Sequence, residues 1–409
     1  MDAPEAERNI GILVYKSESP GIGGEIKQVP DDFLVEEIND SGVVGFNQDT
    51  KGQAQTPGDF VHFTLEKKNW DTMRALKEIS RRLGVSQRRF GFAGTKDKFA
   101  ITRQRASVSG VSIEELSRVN IKDIALGDFT YADGAVQMGD LLGNRFTVTI
   151  RGLDCDPAER ITAIAKELKN GFPNFFGIQR FGEIRPVTHL VGAEILMGDF
   201  EEAVMIYLTK VYGGESHPAK EARAQLCETR DFKGSAGSFQ RMGYESAMIN
   251  HLIEKPGDYQ GALLSLPPTL TQMFVHAFQS YVFNLALSGY IGGGFAIERL
   301  PLVGYLTEPD EISAEILEKE GINKEMFRSR RREFNSKGNL RDCFVPVDDF
   351  EVLSVDKDEM NEGKLKTVLR FSLGKGSYAT VFLSEVMKGQ NPKGVSSRPQ
   401  ERRMSGNSR

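Results

Sequence analysis

The chain has 409 residues, 39% of them apolar and 27% charged, with a formal net charge of -5. That is enough apolar content for a large core and about two domains, and the acidic balance gives no overall sign of a polyanion partner. No apolar run reaches the roughly 18 residues of a membrane span. The start MDAPEAERNIGILVYKSESP lacks a basic n-region, and Cys155, Cys227 and Cys343 are too few and scattered for a disulfide framework or zinc site. A reduced cytoplasm is the expected compartment.

Residues 24–38 read as a strand, a Pro-Asp turn and a second strand. In 59–65, Val61, Phe63 and Leu65 face one way and Phe60, His62 and Thr64 the other, predicting another strand. An amphipathic helix follows over 70–83, with Asp71 as N-cap, Met73, Leu76, Ile79 and Leu83 on its apolar stripe and Gly84 at its end. A glycine-rich loop then runs into a strand near 99–108, and Ser112 with Glu115 forms a capping box. Residues 144–150 alternate as a strand, and Asp156-Pro157 opens a helix with Ile161, Ile164, Ala165 and Leu168 inward, closed by Gly171.

Helical patterns dominate beyond Gly171, at 187–198, 199–212 and 240–255. Residues 270–287 carry no charge, as a helix buried in a large body would. Residues 308–343 are charged and read as helical, and strand character returns over 366–384. From Lys388 the chain carries six basic residues against Glu401, 6 − 1 = +5, in a composition typical of disorder. There is no internal repeat. The order predicts an α+β fold, a mixed β-sheet domain interrupted by a mainly helical insertion. Its boundaries are 1–170 with 351–387 for the sheet domain, 171–350 for the insertion and 388–409 for a basic tail.

Most familiar sites are missing. SLGKGS (372–377) lacks P-loop spacing, SPGIGGE (19–25) has no strand before it, and no Gly-x-Ser-x-Gly elbow occurs. The histidines show no metal spacing. What stands out is FGFAGTKDKFAIT (90–102). Arg81, Arg82, Arg88, Arg89, Lys96, Lys98, Arg103 and Arg105 lie around a single acid, Asp97. Such a local basic patch on an acidic chain points to a polyanion, with a solvated basic face as the plain alternative. An acid between two lysines stays ionised, which suits a nucleophile or general base. The loop alone supports equally a structural Asp capping the Gly94-Thr95 turn.

GFAGTKDKFAITRQ (91–104) resembles the signature of the TruD family of pseudouridine synthases. EIKQVPDDFLVEEI (25–38), GNRFTVTIRG (143–152), GFPNFFGIQRFG (171–182) and FSLGKGSYATVFLSEV (371–386) resemble further segments of that family, in the same order. Phe99 replaces a frequent histidine, and Tyr378 stands where some members have phenylalanine. The middle region looks longer than in bacterial members, as in archaeal or eukaryotic ones. The resemblance implies a pseudouridine synthase fold and a cofactor-free, metal-free conversion of uridine to pseudouridine in tRNA, typically at position 13. Asp97 would be its catalytic carboxylate, attacking sugar or base or removing a sugar proton, with Lys27 as its charge partner. Asn144, Phe146 and Tyr378 would line the uracil pocket. Arg88, Arg89, Lys96, Lys98, Arg103 and Arg180 are candidate RNA contacts, and the cluster Arg328–Arg332 belongs to the insertion. Asn174, Gln179 and Arg180 equally suit a structural role, and Phe146 equally suits core packing. The partner implied is tRNA, with no membrane and no obligatory protein partner. A non-catalytic RNA-binding protein and a metal-dependent RNA-processing nuclease remain as rival readings.

Overall fold

The computed structural model describes residues 3–47 and 58–389. Tertiary contacts divide these into two units, a sheet unit of residues 21–163 and 346–376 and a helical unit of residues 3–20, 164–345 and 377–389. The sequence places 3–20, 164–170 and 377–387 with the sheet and 346–350 with the insertion, whereas contacts group the first three with the helical unit and the last with the sheet unit.

The sheet unit carries a mixed sheet of ten strands. Its main path runs Asp348–Lys357, Leu365–Gly374, Gly143–Leu153, Phe33–Asn39, Ile101–Ser109, Phe60–Lys68, Ile124–Ala132. Among the described residues, only the 33–39 and 101–109 strands pair in parallel. The C-terminal hairpin thus continues the sheet begun near the N-terminus, as the returning strand character predicts. Val61, Phe63 and Leu65 are fully buried against the helix Thr72–Leu83 and its Ala75, Leu76 and Ile79. Asp71 caps that helix by accepting from the Arg74 N–H, and Gly84 ends it at φ +66°, left-handed backbone suited to glycine. Met73, expected on the apolar stripe, is 45% exposed, and Thr72 and Ser80 are buried instead. Ser112 and Glu115 form the predicted capping box.

The helical unit centres on Pro268–Gly292, which buries Phe274, Phe278, Val282, Phe283 and Leu287. Its Asn284 is the polar hub of an apolar helix. The side chain donates to Ile10 O (2.8 Å) and Phe176 O (3.0 Å) and accepts from Phe176 N. Arg185, Arg223, Glu215 and Glu245 form a second, ionic hub, with Arg223 2.6 Å from both carboxylates.

Two expectations fail here. Residues 308–343 hold one α-helix, Glu311–Lys319, followed by 3-10 turns and a short strand, so Arg328, Arg330, Arg331 and Arg332 stand exposed on irregular chain. Charged composition alone does not select helix over turn. The strand-like run ends at Gly374, and Ala379–Met387 is a helix with Tyr378 at its N-cap. Lys388, the first tail residue, donates to Ser17 O and Ser19 O, while the tail from 390 lies outside the described residues. No helix among the described residues is long and apolar enough to cross a membrane.

Candidate active site

The loop 93–100 joins the short strand Phe90–Phe92 to the strand Ile101–Ser109. Gly91 is required where the chain enters it, because a Cβ there would meet Val136 O at 2.4 Å. Side chains from three neighbouring elements then fix the loop's backbone. Gln104 Nε2 donates to Gly94 O (2.9 Å). Lys96 N donates to the Thr72 hydroxyl (3.1 Å), which itself donates to Gln104 Oε1. Lys67 Nζ donates to Asp97 O at 2.8 Å. Ala93 O accepts from Gly139 N.

Asp97 is thereby presented with its side chain 28% exposed and Oδ2 3.0 Å from Lys27 Nζ. Lys27 is 8% exposed and sits over the Phe33 ring at 4.2 Å. Its backbone has φ +59°, a conformation few non-glycine residues adopt and one that collects at functional sites. The pairing expected for Lys27 is thus present in the geometry.

Lys96 behaves differently from expectation. It turns inward to Glu37 Oε2 at 2.7 Å, with both side chains nearly solvent-free, so its charge is paired within the protein. Glu37 also accepts from Arg105 N. Arg103 is held by Glu36 (2.8 Å) and Glu66 (2.7 Å), and Arg105 by Asp128 O and Thr130. Arg81 and Arg82 pair with Glu78. Four of the window's eight cations are therefore paired with acids from outside it, and Arg105 is held by a carbonyl and a hydroxyl. Arg88 and Lys98 remain exposed, and Arg89 is half-buried with its guanidinium laid along Gly110.

Asn144 lies opposite Glu37 in the ladder of the 33–39 and 143–153 strands. Its Oδ1 is buried and finds no hydrogen-bond partner among the described residues. Buried polar atoms are rarely left so, and this one is suited to a ligand donor. Phe146, two residues on, is 7% exposed, stacked on Phe371 (5.4 Å) and edge-on to Phe33 (6.0 Å). One ring face is thus already used in core packing.

Tyr378 and Arg180 belong to the helical unit. Tyr378 lies edge-on to Phe176 at 6.1 Å. Burial raises its hydroxyl pKa, against the opposing pull of Arg180 and Arg341. Arg341 covers the Phe176 ring at 4.1 Å and donates to Asn174 O and Oδ1. Burial pushes it down to about 10. Arg180 is half-buried, its Nε on Ser280 Oγ (3.2 Å). Asn174 also donates to Asp342 O, so it serves its own unit's structure.

Sequence reasoning missed Lys67 and Arg341. Lys67 continues the inward register of Val61, Phe63 and Leu65, but the predicted strand stops at residue 65, whereas the structure carries it to Lys68. Among the described residues, no group of three or more His, Cys, Asp or Glu side chains is placed to hold a metal ion.

The family model for tRNA pseudouridine synthase D (TruD) matches residues 9–306 and 291–386. The probable tRNA pseudouridine synthase D of Methanosarcina acetivorans is 37% identical, over 95% of this chain and 98% of that protein. Its counterpart from Archaeoglobus fulgidus is 37% identical, over 93% of this chain and 99% of that protein. The crystal structure of the putative tRNA pseudouridine synthase D from Methanosarcina mazei superposes with a TM-score of 0.78 at 36% identity, covering 95% of this chain and 99% of that one.

Proposed function

The chain belongs to the tRNA pseudouridine synthase D (TruD) family, and from that premise we propose that it isomerises uridine to pseudouridine in tRNA, at position 13, with Asp97 as the catalytic carboxylate. The observation that carries this reading is the ion pair of a partly exposed Asp97 with a nearly buried Lys27, on a loop whose backbone is fixed by buried side chains.

In the reaction the N1–C1′ bond breaks, the uracil turns, and a C5–C1′ bond forms. C5 gives up its proton and N1 gains one, so no electrons are exchanged with an outside partner. A carboxylate in its basic form is the group this needs, whether it adds to the sugar or base or removes a sugar proton. Lys27 favours that form, because an opposite charge at 3.0 Å stabilises the ionised state. The fixed loop spares Asp97 reorganisation during the reaction. The target base leaves its stack at a cost of a few kcal/mol. The orphaned Asn144 Oδ1 is suited to accept from the uracil N3–H, with Phe146 supporting that edge. In the helical unit, Tyr378, Arg180 and Arg341 offer an aromatic and cationic surface suited to RNA. Exposed Arg88 and Lys98, which have no carboxylate partner among the described residues, are the cations of the basic window best suited to phosphate, whereas Lys96 and Arg103 are paired with protein carboxylates. We place the enzyme in the cytoplasm, with tRNA as its partner.

The test is to incubate tRNA with the protein in EDTA and map pseudouridine. Pseudouridine at position 13 in intact tRNA is expected. Binding without modification would leave an RNA-binding protein, and chelator-sensitive strand scission would leave a nuclease. Modification confined to another uridine would overturn the position.

A further inference from the structure

A strand whose inward face reads Val61, Phe63, Leu65 ends that face in a lysine. Lys67 is 0% exposed, in a place where a leucine or methionine would complete the apolar stripe. Its Cα lies between Thr102 and Ile124 on the two neighbouring strands. A lysine is almost never fully buried without a carboxylate partner. Here the hydrogen bonds of Nζ run to main-chain carbonyls, Asp97 O at 2.8 Å and Lys96 O at 3.4 Å. Those carbonyls flank the peptide that presents the Asp97 side chain.

We propose, on the reading of Asp97 as the catalytic carboxylate, that Lys67 is a positioning residue of the isomerisation: its buried ammonium ties down the Asp97 main chain from beneath and supplies a fixed positive charge beside the carboxylate. Two functions are combined in one group. The tether sets where the carboxylate points, and misplacement by about 1 Å can cost on the order of 100-fold in rate. The charge sits in a buried position, where it is screened less than a surface charge.

The charged groups around Lys67 make its charge state sensitive. Asp97 and Asp71, the latter from the helix N-cap, favour the ammonium, and Lys96 opposes it. Lys96 is itself held by Glu37, and Asp97 by Lys27. Burial outweighs the two carboxylates and brings Lys67 down to about 8. A neutral donor on a long side chain could make the same hydrogen bonds without that desolvation cost, which the charge beside Asp97 would offset. Above that pH the neutral amine keeps the tether and loses the charge.

The experiment measures pseudouridine formation by wild type, Lys67→Met and Lys67→Gln across about pH 6.5–9.5, together with tRNA affinity and thermal melting. Asp97→Asn serves as the blank. Lys67→Met is expected to lose about 10–100-fold in kcat, with KM and tRNA Kd within about twofold of wild type. Lys67→Gln keeps a donor without charge and is expected to fall between the two. The wild-type rate should show an alkaline fall near pH 8 that both variants lack. A Lys67→Met kcat within about threefold of wild type would overturn the assignment. So would an alkaline limb shared by all three proteins, or both variants melting below assay temperature, which would make Lys67 a stability residue. A wild-type protein that makes no pseudouridine sinks the isomerase reading itself, whereas active wild type with unaffected variants sinks only the role of Lys67.

Discussion

In the helical unit, Arg223 is buried between Glu215 and Glu245, each 2.6 Å away, and Arg185 bridges the same two carboxylates. In the sheet unit, Lys67 is buried on two carbonyls and is held below its usual pKa. Both are cations taken out of water, but the first group closes its charge within the protein and the second leaves it for a neighbouring loop to use. A closed network buried in a helical core organises structure. A buried cation whose nearby carboxylates do not offset its burial costs stability, and such a cost is expected where a reacting group uses the field. The contrast separates residues whose loss should unfold the chain from residues whose loss should silence it.

The sharpest way to break that contrast is Asp97→Asn. The amide keeps the shape and removes the basicity, so turnover should fall by about 10²–10⁴-fold. Affinity for tRNA should stay close to wild type and the fold should be kept, because the Asp97 backbone is held independently of its carboxylate, while the melting temperature should fall slightly because nearly buried Lys27 loses its partner. Retention of more than a few per cent of turnover would remove Asp97 from the chemistry. In the helical unit, Arg223→Met should do the reverse. It strands Glu215 and Glu245, at about 3–5 kcal/mol of stability, read as a lowered urea midpoint. The turnover of the molecules still folded should be unchanged. A normal midpoint would mean that Arg185 alone neutralises the pair.

A smaller effect follows from Lys67 itself. A folded pKa of about 8, below the ordinary value of 10.5, means that the unfolded chain binds more protons between those values. Stability therefore rises with pH across that window: the penalty is fully present below about pH 8 and gone above about 10.5. Lys67→Met lacks this slope. The stability difference between the two proteins should shift in favour of wild type by up to about 3 kcal/mol on going through the window. Parallel urea midpoints from about pH 7.5 to 9.5 would show that Lys67 is not depressed.

How much of this was legible follows from where each interaction comes from. Asp71, Gly84 and the Ser112–Glu115 box act within a few residues, so sequence spacing exposes them. The charge-free helix announces its burial by composition. The strand Asp348–Lys357 escaped notice because most of its residues are exposed on both faces, which erases the alternation that marks a half-buried strand. Residues 379–384 read as strand because Val381 and Phe382 carry β character, while burial in the helical unit selects the helix Ala379–Met387. The fate of the basic window was hidden because Glu36, Glu37 and Glu66, which neutralise Lys96 and Arg103, lie far back in the chain and meet them only through sheet pairing. Asp97 stood out because its loop is local, though the loop alone left a turn-capping role equally open and only the family resemblance singled it out, whereas the lysine beneath it was one residue pair past the end of a predicted strand.

That neutralisation makes the smallest prediction the most specific. If the basic window acted as one patch, each of its cations would add about 0.7–0.9 to the slope of log affinity against log salt for tRNA. The structure divides it instead. Arg88 and Lys98 are exposed and free to meet phosphates, so Arg88→Ala and Lys98→Ala should each flatten the slope by about 0.7–0.9 units. Lys96→Met should leave it unchanged, because the Lys96–Glu37 pair releases no counterions when RNA binds. Arg89 is half-buried along Gly110 and should contribute less than Arg88. None of these changes should alter which uridine is modified, since phosphate contacts position the RNA without reading it. Equal flattening by Lys96→Met and Arg88→Ala would show that the ion pair with Glu37 opens on the RNA. No flattening by Arg88→Ala and Lys98→Ala together would place the phosphate contacts elsewhere, with the exposed Arg328, Arg330, Arg331 and Arg332 of the helical unit as the next substitutions to make.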